Sequence, residues 1–521
     1  MTMKLGELLH QSNIRYRFSH DLTQTETDDL LATNITGITD DSRKAGEGSL
    51  FFATVHASSF AKAASEAGSV IVTSKSKLKQ LTEAVPSYKS RFIVVASPER
   101  TMAAMAASLY NHPSKQMTLV AVTGTNGKTT TTHLLYYLWK SNQIKCAMIG
   151  TLGIRFFDGE KEEHFETGFT TPRSYELQRV LRELCNRGIN YVAMEASSEA
   201  LSLGRLGALT FRSILFTGLG RDHLDHHKTM QGYMRAKRHL FFLAARSDHQ
   251  VSCFVWAKGD ALLSLQRFER RIVKPQFSFE WIHDHDIESK ELFELPVPTQ
   301  FNRINAVLAK RAFETVTRAQ KPLKISFTGF NGVAGRMEKI SLSPYVDSFV
   351  DYAHSPDSLE RVLIEVRSLG YDHIITVFGC GGDRDPGKRP LMGRIAFDRS
   401  DLCIVTDDNP RTEDAAKIRK QIMQPLTLPL SSVQNSSQAA DAPRIIEIGD
   451  RRLAIQKAVQ EAISQSLQRA GQNPDQEDKK SRIAVIVAGK GHETYQIIGR
   501  QKSHFSDREE IEAAITLILS E

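Results

Sequence analysis

The chain has 521 residues, 41% hydrophobic and 24% charged, and its 67 Lys and Arg against 60 Asp and Glu give a formal charge of +7. These proportions exclude a disordered, collagen-like or disulfide-scaffold chain, and the length allows about three domains at roughly 100–200 residues each. No run approaches the roughly 18 apolar residues of a membrane span, and the opening stretch MTMKLGELLHQSN lacks a signal-peptide core, so a cytoplasmic enzyme without a membrane span is expected.

Residues 1–115 carry short apolar runs such as Ser49-Leu50-Phe51-Phe52-Ala53 and Ser69-Val70-Ile71-Val72, then an alanine-rich helical stretch over 99–110, which predicts a small α/β unit. The polar, proline-containing break Asn111-His112-Pro113-Ser114-Lys115 marks its end. Over 116–335, strand-like runs at 119–122, 191–194 and 213–216 alternate with helical lengths, the pattern of a mainly parallel sheet covered by helices. Over 336–521 the alternation restarts, with strands expected at 348–350, 373–377, 402–405 and 483–487, and a Rossmann-like domain is predicted. Residues 465–481 are polar and charged and read as an exposed loop or frayed helix end. Cys146, Cys185, Cys253, Cys380 and Cys403 form no CxxC pair and are expected as reduced thiols. The small basic excess favours an anionic partner. Phosphorylated small molecules satisfy it, whereas no zinc-finger spacing or aromatic-plus-basic single-strand pattern points to nucleic acid.

The strongest local signal is Gly124-Thr125-Asn126-Gly127-Lys128-Thr129-Thr130, set between the predicted strand 119–122 and a helical stretch with Leu134, Leu135, Leu138 and Trp139 on one face. Glycines let backbone N–H groups close on phosphates, Lys128 can neutralise the β/γ charge, and the Thr129 hydroxyl can ligate Mg²⁺. ATP is the expected ligand. The common phosphate loop would begin with a glycine at position 122, where this chain has Val122, so the loop is a shortened relative. Glu195 in Met194-Glu195-Ala196-Ser197-Ser198 and His223 in Arg221-Asp222-His223-Leu224-Asp225 follow predicted strands, where open α/β sheets bind ligands. They are candidate Mg²⁺ ligands, although a single glutamate and a His-rich loop equally suit a solvated surface. His226 and His227 are read as surface.

Three late loops also stand at strand ends: Phe378-Gly379-Cys380-Gly381-Gly382-Asp383-Arg384-Asp385, Thr406-Asp407-Asp408-Asn409-Pro410-Arg411 and Ala488-Gly489-Lys490-Gly491-His492-Glu493. Their convergence would make a pocket rich in guanidinium and carboxylate groups, as a zwitterionic substrate requires.

These motifs, with Asp41-Ser42-Arg43, Thr170-Thr171-Pro172, Phe301-Asn302 and Asn305, Gly335-Arg336-Met337-Glu338 and the run Asp351 to Asp357, resemble the Mur ligases nearly end to end. The resemblance implies a three-domain α/β architecture: an N-terminal UDP-substrate-binding domain (1–115), a central P-loop ATPase-like domain (116–335) and a C-terminal Rossmann-like amino-acid-binding domain (336–521). It implies an ADP-forming ligase that adds meso-2,6-diaminopimelate to UDP-N-acetylmuramoyl-L-alanyl-D-glutamate in peptidoglycan precursor synthesis, acting as a monomer. ATP and Mg²⁺ would be held by Gly124 to Thr130, with Glu195 and His223 on the metal and Asn302, Arg336 and Asp351 on adenine, phosphate and ribose. Lys237 falls where the family has a carbamylated lysine that helps bind Mg²⁺, although the sequence around it alone reads as a solvated helix. Ser42, Thr170, Thr171, Ser197 and Arg205 would bind the UDP-substrate. Arg384, Asp408, Asn409, Pro410, Arg411, Gly489 and Glu493 would bind diaminopimelate, with Arg411 receiving the distal carboxylate that lysine lacks. Ala57, Glu199, Leu203, Gly218 and Thr299 depart from the usual family pattern.

Overall fold

The computed structural model describes all residues except 20–21, 55–57, 85–91, 273, 319–321, 425–443, 473–481 and 521. Val/Ile/Phe-rich runs of four to six residues become buried strands of three principal sheets. Near the N-terminus the order across the sheet is Tyr16–Phe18, Phe92–Val95, Val70–Ser74, Ser49–Phe52 and Gly37–Thr39, parallel after the first pair. The helix predicted over 99–110 forms as Pro98–Leu109, started by Ser97, whose hydroxyl accepts from Arg100 N.

The eight-stranded sheet runs Glu162–Phe165, Gly153–Phe157, Cys146–Gly150, Tyr191–Glu195, Thr118–Thr123, Ser213–Phe216, Val251–Val255 and Phe277–Trp281. It is parallel from Cys146–Gly150 onward, and the first two strands form an antiparallel edge. Its middle strands lack polar alternation because both faces are covered. Helices Lys128–Ser141 and Gln300–Val316 close one face, burying Leu134, Leu135, Leu138 and Trp139 as their spacing predicts. Leu177, Leu181, Leu240 and Phe241, from helices Ser174–Asn186 and Met230–Ala244, close the other.

The last large sheet has the order Glu338–Ser343, Val346–Asp351, Ile483–Ala488, His373–Phe378, Leu402–Val405 and Arg444–Glu447, parallel after the first pair. The strand latest in sequence thus lies second among the parallel ones. That insertion brings the loop after 488 beside those after 351, 378 and 405, all at the carboxyl edge. Residues 465–472 are not a loop: they continue helix Arg451–Gln472, while 473–481 lie outside the described residues.

The polar break at 111–115 is pinned rather than free. Arg182 donates to Tyr110 O at 2.9 Å and Asn111 O at 2.8 Å, and an Arg173–Asp40 ion pair also crosses to the N-terminal sheet. Among the described residues no helix is long and apolar enough to cross a membrane.

One buried ion pair braces the last sheet. Arg451 and Asp507 are both 0% exposed and meet through Nε and Nη2 at 2.7 and 2.8 Å, and Nη2 also donates to Ala488 O at 2.9 Å. Removing one partner strands the other charge in an apolar core, so Arg451→Met is expected to cost about 3–5 kcal/mol. Urea unfolding followed by circular dichroism checks this.

Candidate functional site

The carboxyl ends of the two larger parallel sheets face one cleft of about 450 Å³, lined by the phosphate loop on one side and by Arg336, Asp351, Tyr352 and His354 on the other. Strand Thr118–Thr123 delivers the loop, and helix Lys128–Ser141 starts at its end with Gly127 at φ +86°. A side chain at Gly127 would be strained, and its Cβ would stand 2.4 Å from Asn305 Oδ1. The loop is fixed from behind: Thr125 Oγ1 accepts from Gly220 N at 2.9 Å and Tyr233 Oη at 3.2 Å. Lys128 Nζ folds back onto Gly124 O and Thr125 O at 3.0 and 2.8 Å.

Lys237 is not solvated. It is 1% exposed, Nζ donates to the same Gly124 O at 2.6 Å, and it lies 4.4 Å from the Tyr233 ring centroid. The helical pattern hides this because Tyr233, Met234, Ala236 and Leu240 turn that face inward. Burial first, then the neighbouring Lys128, hold its pKa well below the ordinary lysine value.

Glu195 ends its strand 1% exposed, and its carboxylate accepts from Thr151 N at 2.8 Å and Thr151 Oγ1 at 3.1 Å. His223, at φ +52°, lies 3.6 Å from Asp222. Desolvation at the cleft, only partly offset by Asp222, lowers its pKa, which favours the neutral imidazole that a metal ligand needs. Among the described residues no three His, Cys, Asp or Glu side chains form a ligand cluster. Glu195, His223 and the Thr129 hydroxyl nevertheless line one cleft, a donor set suited to Mg²⁺, which takes few protein ligands and completes its shell with phosphates and water.

From the last sheet, Arg336 Nη2 donates to Thr129 Oγ1 at 3.4 Å, its guanidinium stacks 4.5 Å from the Tyr352 ring centroid, and Nε is buried without a partner. Asp351 accepts from Met337 N at 2.7 Å, and burial pushes its carboxyl up to about 6. Asn302 lies in the same cleft, its amide donating to Val297 O at 2.9 Å. Thr170, Thr171, Ser197 and Arg205 line the far end. Arg205 donates to Thr171 O at 3.0 Å, and Ser197 N to Thr171 Oγ1 at 3.1 Å. Ser42 is not among the cleft residues; it starts a 3-10 turn capped by Asp41 in the N-terminal unit.

The late loops form a separate cluster. Gly382 N donates to Asn409 O at 2.9 Å, and Arg411 Nη1 to Gly382 O at 2.7 Å, locking the loops after 378 and 405 together. Asn409 Nδ2 reaches Glu493 at 2.9 Å, Gly489 follows strand Ile483–Ala488, and Arg384 is exposed at the rim.

The comparisons with known proteins agree with this layout. The Mur ligase middle domain matches residues 122–312, and the Mur ligase glutamate ligase domain matches 335–491. A UDP-N-acetylmuramoyl-L-alanyl-D-glutamate--2,6-diaminopimelate ligase of Gloeobacter violaceus is 34% identical over 99% of this chain and 98% of its own length. The ligase of the same name from Clostridioides difficile is 36% identical over 80% of this chain and 82% of its own. The chain belongs to the Mur ligase family. A solved structure bearing that ligase name is 26% identical with TM-score 0.58, each chain covered fully. A Mycobacterium tuberculosis folylpolyglutamate synthase complexed with ADP and AMPPCP shares the fold at 14% identity and TM-score 0.54, covering 74% of this chain and 91% of its own.

The departures of this Mur ligase from the usual pattern have local roles. Thr299 caps helix Gln300–Val316 by accepting from Asn302 N, and Glu199 lies 3.6 Å from Arg205. Gly218, at φ +116°, offers its carbonyl to Thr125 N at 3.0 Å, and Leu203 ends the short helix Ser198–Ser202. Ala57 lies outside the described residues. Sequence reasoning gave no role to Asn305, Thr151, Tyr352, His354 or Lys490. Asn305 had a readable signal, since it sits three residues after Asn302 on one helix face; Thr151 had none.

Gly127→Ala should weaken ATP binding at least about tenfold by forcing Asn305 away from the loop. Calorimetric titration with a non-hydrolysable ATP analogue checks this, with circular dichroism expected to be unchanged.

Proposed function

We propose that this Mur ligase joins meso-2,6-diaminopimelate to UDP-N-acetylmuramoyl-L-alanyl-D-glutamate, forming one amide bond as ATP becomes ADP and phosphate. The observation that carries the choice of amino acid is the loop cluster. Arg411 spends only Nη1 on Gly382 O, leaving the rest of its fork without a protein partner among the described hydrogen bonds, and it follows in the same loop as Asp408, whose Asn409 neighbour donates to Glu493. A distal carboxylate and a distal ammonium on one carbon match that pairing, and lysine would leave the guanidinium unpaired.

A carboxylate resists amines because oxide is a poor leaving group, so the glutamyl oxygen first attacks the γ-phosphorus, releasing ADP and leaving an acyl phosphate. The amine then attacks the acyl carbon, and collapse of the tetrahedral species expels phosphate. In this reading Lys128 leaves its loop carbonyls for the phosphates, and the N–H groups of the loop and helix start cradle them. Arg336 closes on the transferred group from the other sheet. Asn302 and Asp351 take adenine and ribose. Thr170, Thr171, Ser197 and Arg205, with Ser42 from the N-terminal unit, take the nucleotide-sugar substrate. Thr129, Glu195, His223 and a carbamylated Lys237 would hold Mg²⁺, which when bound neutralises charge on the phosphate oxygens.

The state of Lys237 supports its modification. Burial and Lys128 disfavour the charged form of this amine, and the neutral form adds to carbon dioxide, losing a proton and becoming a carbamate, which puts an anion beside Lys128. Residues 1–115, 116–335 and 336–521 divide the work among nucleotide-sugar, ATP and amino-acid binding.

The test is phosphate release with ATP, Mg²⁺ and the UDP-dipeptide, comparing meso-diaminopimelate, L-lysine and no amino acid. Release only with diaminopimelate is expected; release with lysine instead would remove Arg411 from selection. Lys128→Ala should abolish turnover. Arg411→Ala should reduce kcat/KM for diaminopimelate by about 10²-fold or more while leaving KM for ATP unchanged. Depleting bicarbonate should lower the rate, and restoring it should recover activity in the native enzyme but not in Lys237→Ala.

A further inference from the structure

Beneath the Asp408–Arg411 loop lies a cation that none of the roles above uses. Lys490 is 0% exposed, more deeply buried than Asp408 at 8% or Asn409 at 3%. Its Nζ donates to Asn409 Oδ1 at 3.4 Å and to Tyr495 O, and lies 3.7 Å from Asp408 Oδ1 and 3.5 Å from Glu493 Oε2. Asn409 ties the set together, with Nδ2 donating to Glu493 Oε2 at 2.9 Å and to Asp408 Oδ1 at 3.2 Å.

Two neighbouring carboxylates away from bulk water repel, and one takes up a proton unless a cation stands between them. A buried ammonium, equally, persists only when carboxylates and carbonyls satisfy it. The geometry meets both conditions. We propose that Lys490 is a positioning residue for the amino-acid substrate: its buried ammonium lies between the Asp408 and Glu493 carboxylates and holds them side by side, so that the three groups together present one net negative charge to an incoming ammonium group. This rests on the ligase reading and adds to it how the ammonium end of the substrate is recognised.

The groups facing Glu493 are consistent with that role. Asp408 and Tyr352 stand near it from two loops, Tyr495 from the following strand, and Arg451 with Asp507 from behind. Burial and then Asp408 raise the Glu493 carboxyl, while Lys490 and Asn409 oppose the rise. Without Lys490 no cation opposes that rise, so Glu493 takes up a proton more readily and loses its anionic acceptor for an ammonium. Raising the pH removes that proton and restores the acceptor.

The experiment measures KM for meso-diaminopimelate and for ATP in the wild type and in Lys490→Met between pH 6.5 and pH 9.5. At neutral pH the variant is expected to raise the diaminopimelate KM about tenfold or more, with ATP KM unchanged, and to regain most of the loss toward alkaline pH. An unchanged diaminopimelate KM, or a rise equal at every pH, overturns the proposal. Should Lys490→Met fail to fold, Lys490→Met/Glu493→Gln is compared with Glu493→Gln. Equal diaminopimelate KM values without pH dependence are expected if Lys490 acts through Glu493, and additive losses overturn it. Absence of diaminopimelate-dependent phosphate release in the wild type would instead overturn the ligase reading, so the two failures are distinguishable.

Discussion

Across the cleft, one arginine from beside the last sheet reaches a hydroxyl of the phosphate loop. Arg336 follows Gly335, whose φ is +64° and where a Cβ would stand 2.1 Å from His492 N, so the turn that aims the guanidinium is locked onto the 489–493 loop. Its far end meets Thr129 at 3.4 Å. Parallel sheets concentrate unpaired loop backbone at their carboxyl edges. The Arg336–Thr129 contact, with the hydrogen bonds Arg221 N to Asp357 and Gln300 N to Glu365, links two such edges, and the phosphate loop and the Asp351–His354 segment line one cleft.

Charge is organised around two buried lysines that face opposite problems. Lys237 shares Gly124 O with Lys128 and has no carboxylate among its described hydrogen-bond or ion-pair partners, so burial and like charge drive it toward the neutral amine. Lys490 sits between two carboxylates. Residue type is the same in both and burial lowers the pKa of both, but carboxylates oppose that fall at Lys490 where a second lysine adds to it at Lys237. The first arrangement makes an amine ready for chemistry, and the second fixes a charge that only needs to stay.

Much of this was legible in the sequence. The strands at 119–122, 191–194, 213–216 and 483–487 formed within a residue or two of their apolar runs, because buried parallel strands write themselves as unbroken β-branched stretches. The phosphate loop was legible because glycine spacing and a following helix leave few other uses. The burial of Lys237 was not, since a polar residue on an amphipathic helix is read outward unless the third dimension is known. Residues 465–481 read as a loop or a helix end, and the helix proves to run through Gln472; polar composition alone does not separate the two. A pocket made by the three late loops is expected from their places at strand ends, but that the last of them lies beside Asp351 escapes a linear reading, because it follows from strand order: the strand at 483–488 inserts beside 346–351 and carries its loop with it.

That insertion bears on the order of events. An acyl phosphate exposed to water is lost, so the amine must be in place when it forms. The strand that ends beside Arg336's turn, Val346–Asp351, and the strand entering the 489–493 loop, Ile483–Ala488, are parallel neighbours, with Tyr352 N donating to Gly335 O at 3.0 Å and Gly489 N to Asp351 O at 3.1 Å. The Tyr352 ring fills the space between them, 4.5 Å from the Arg336 guanidinium and 5.3 Å from the His492 ring. The arginine that contacts the phosphate loop and the loop that carries Lys490 and Glu493 are therefore parts of one rigid edge. A motion that brought Arg336 to the nucleotide would bring the proposed amino-acid pocket with it, and in that reading the activated carboxylate and the attacking amine would be enclosed together.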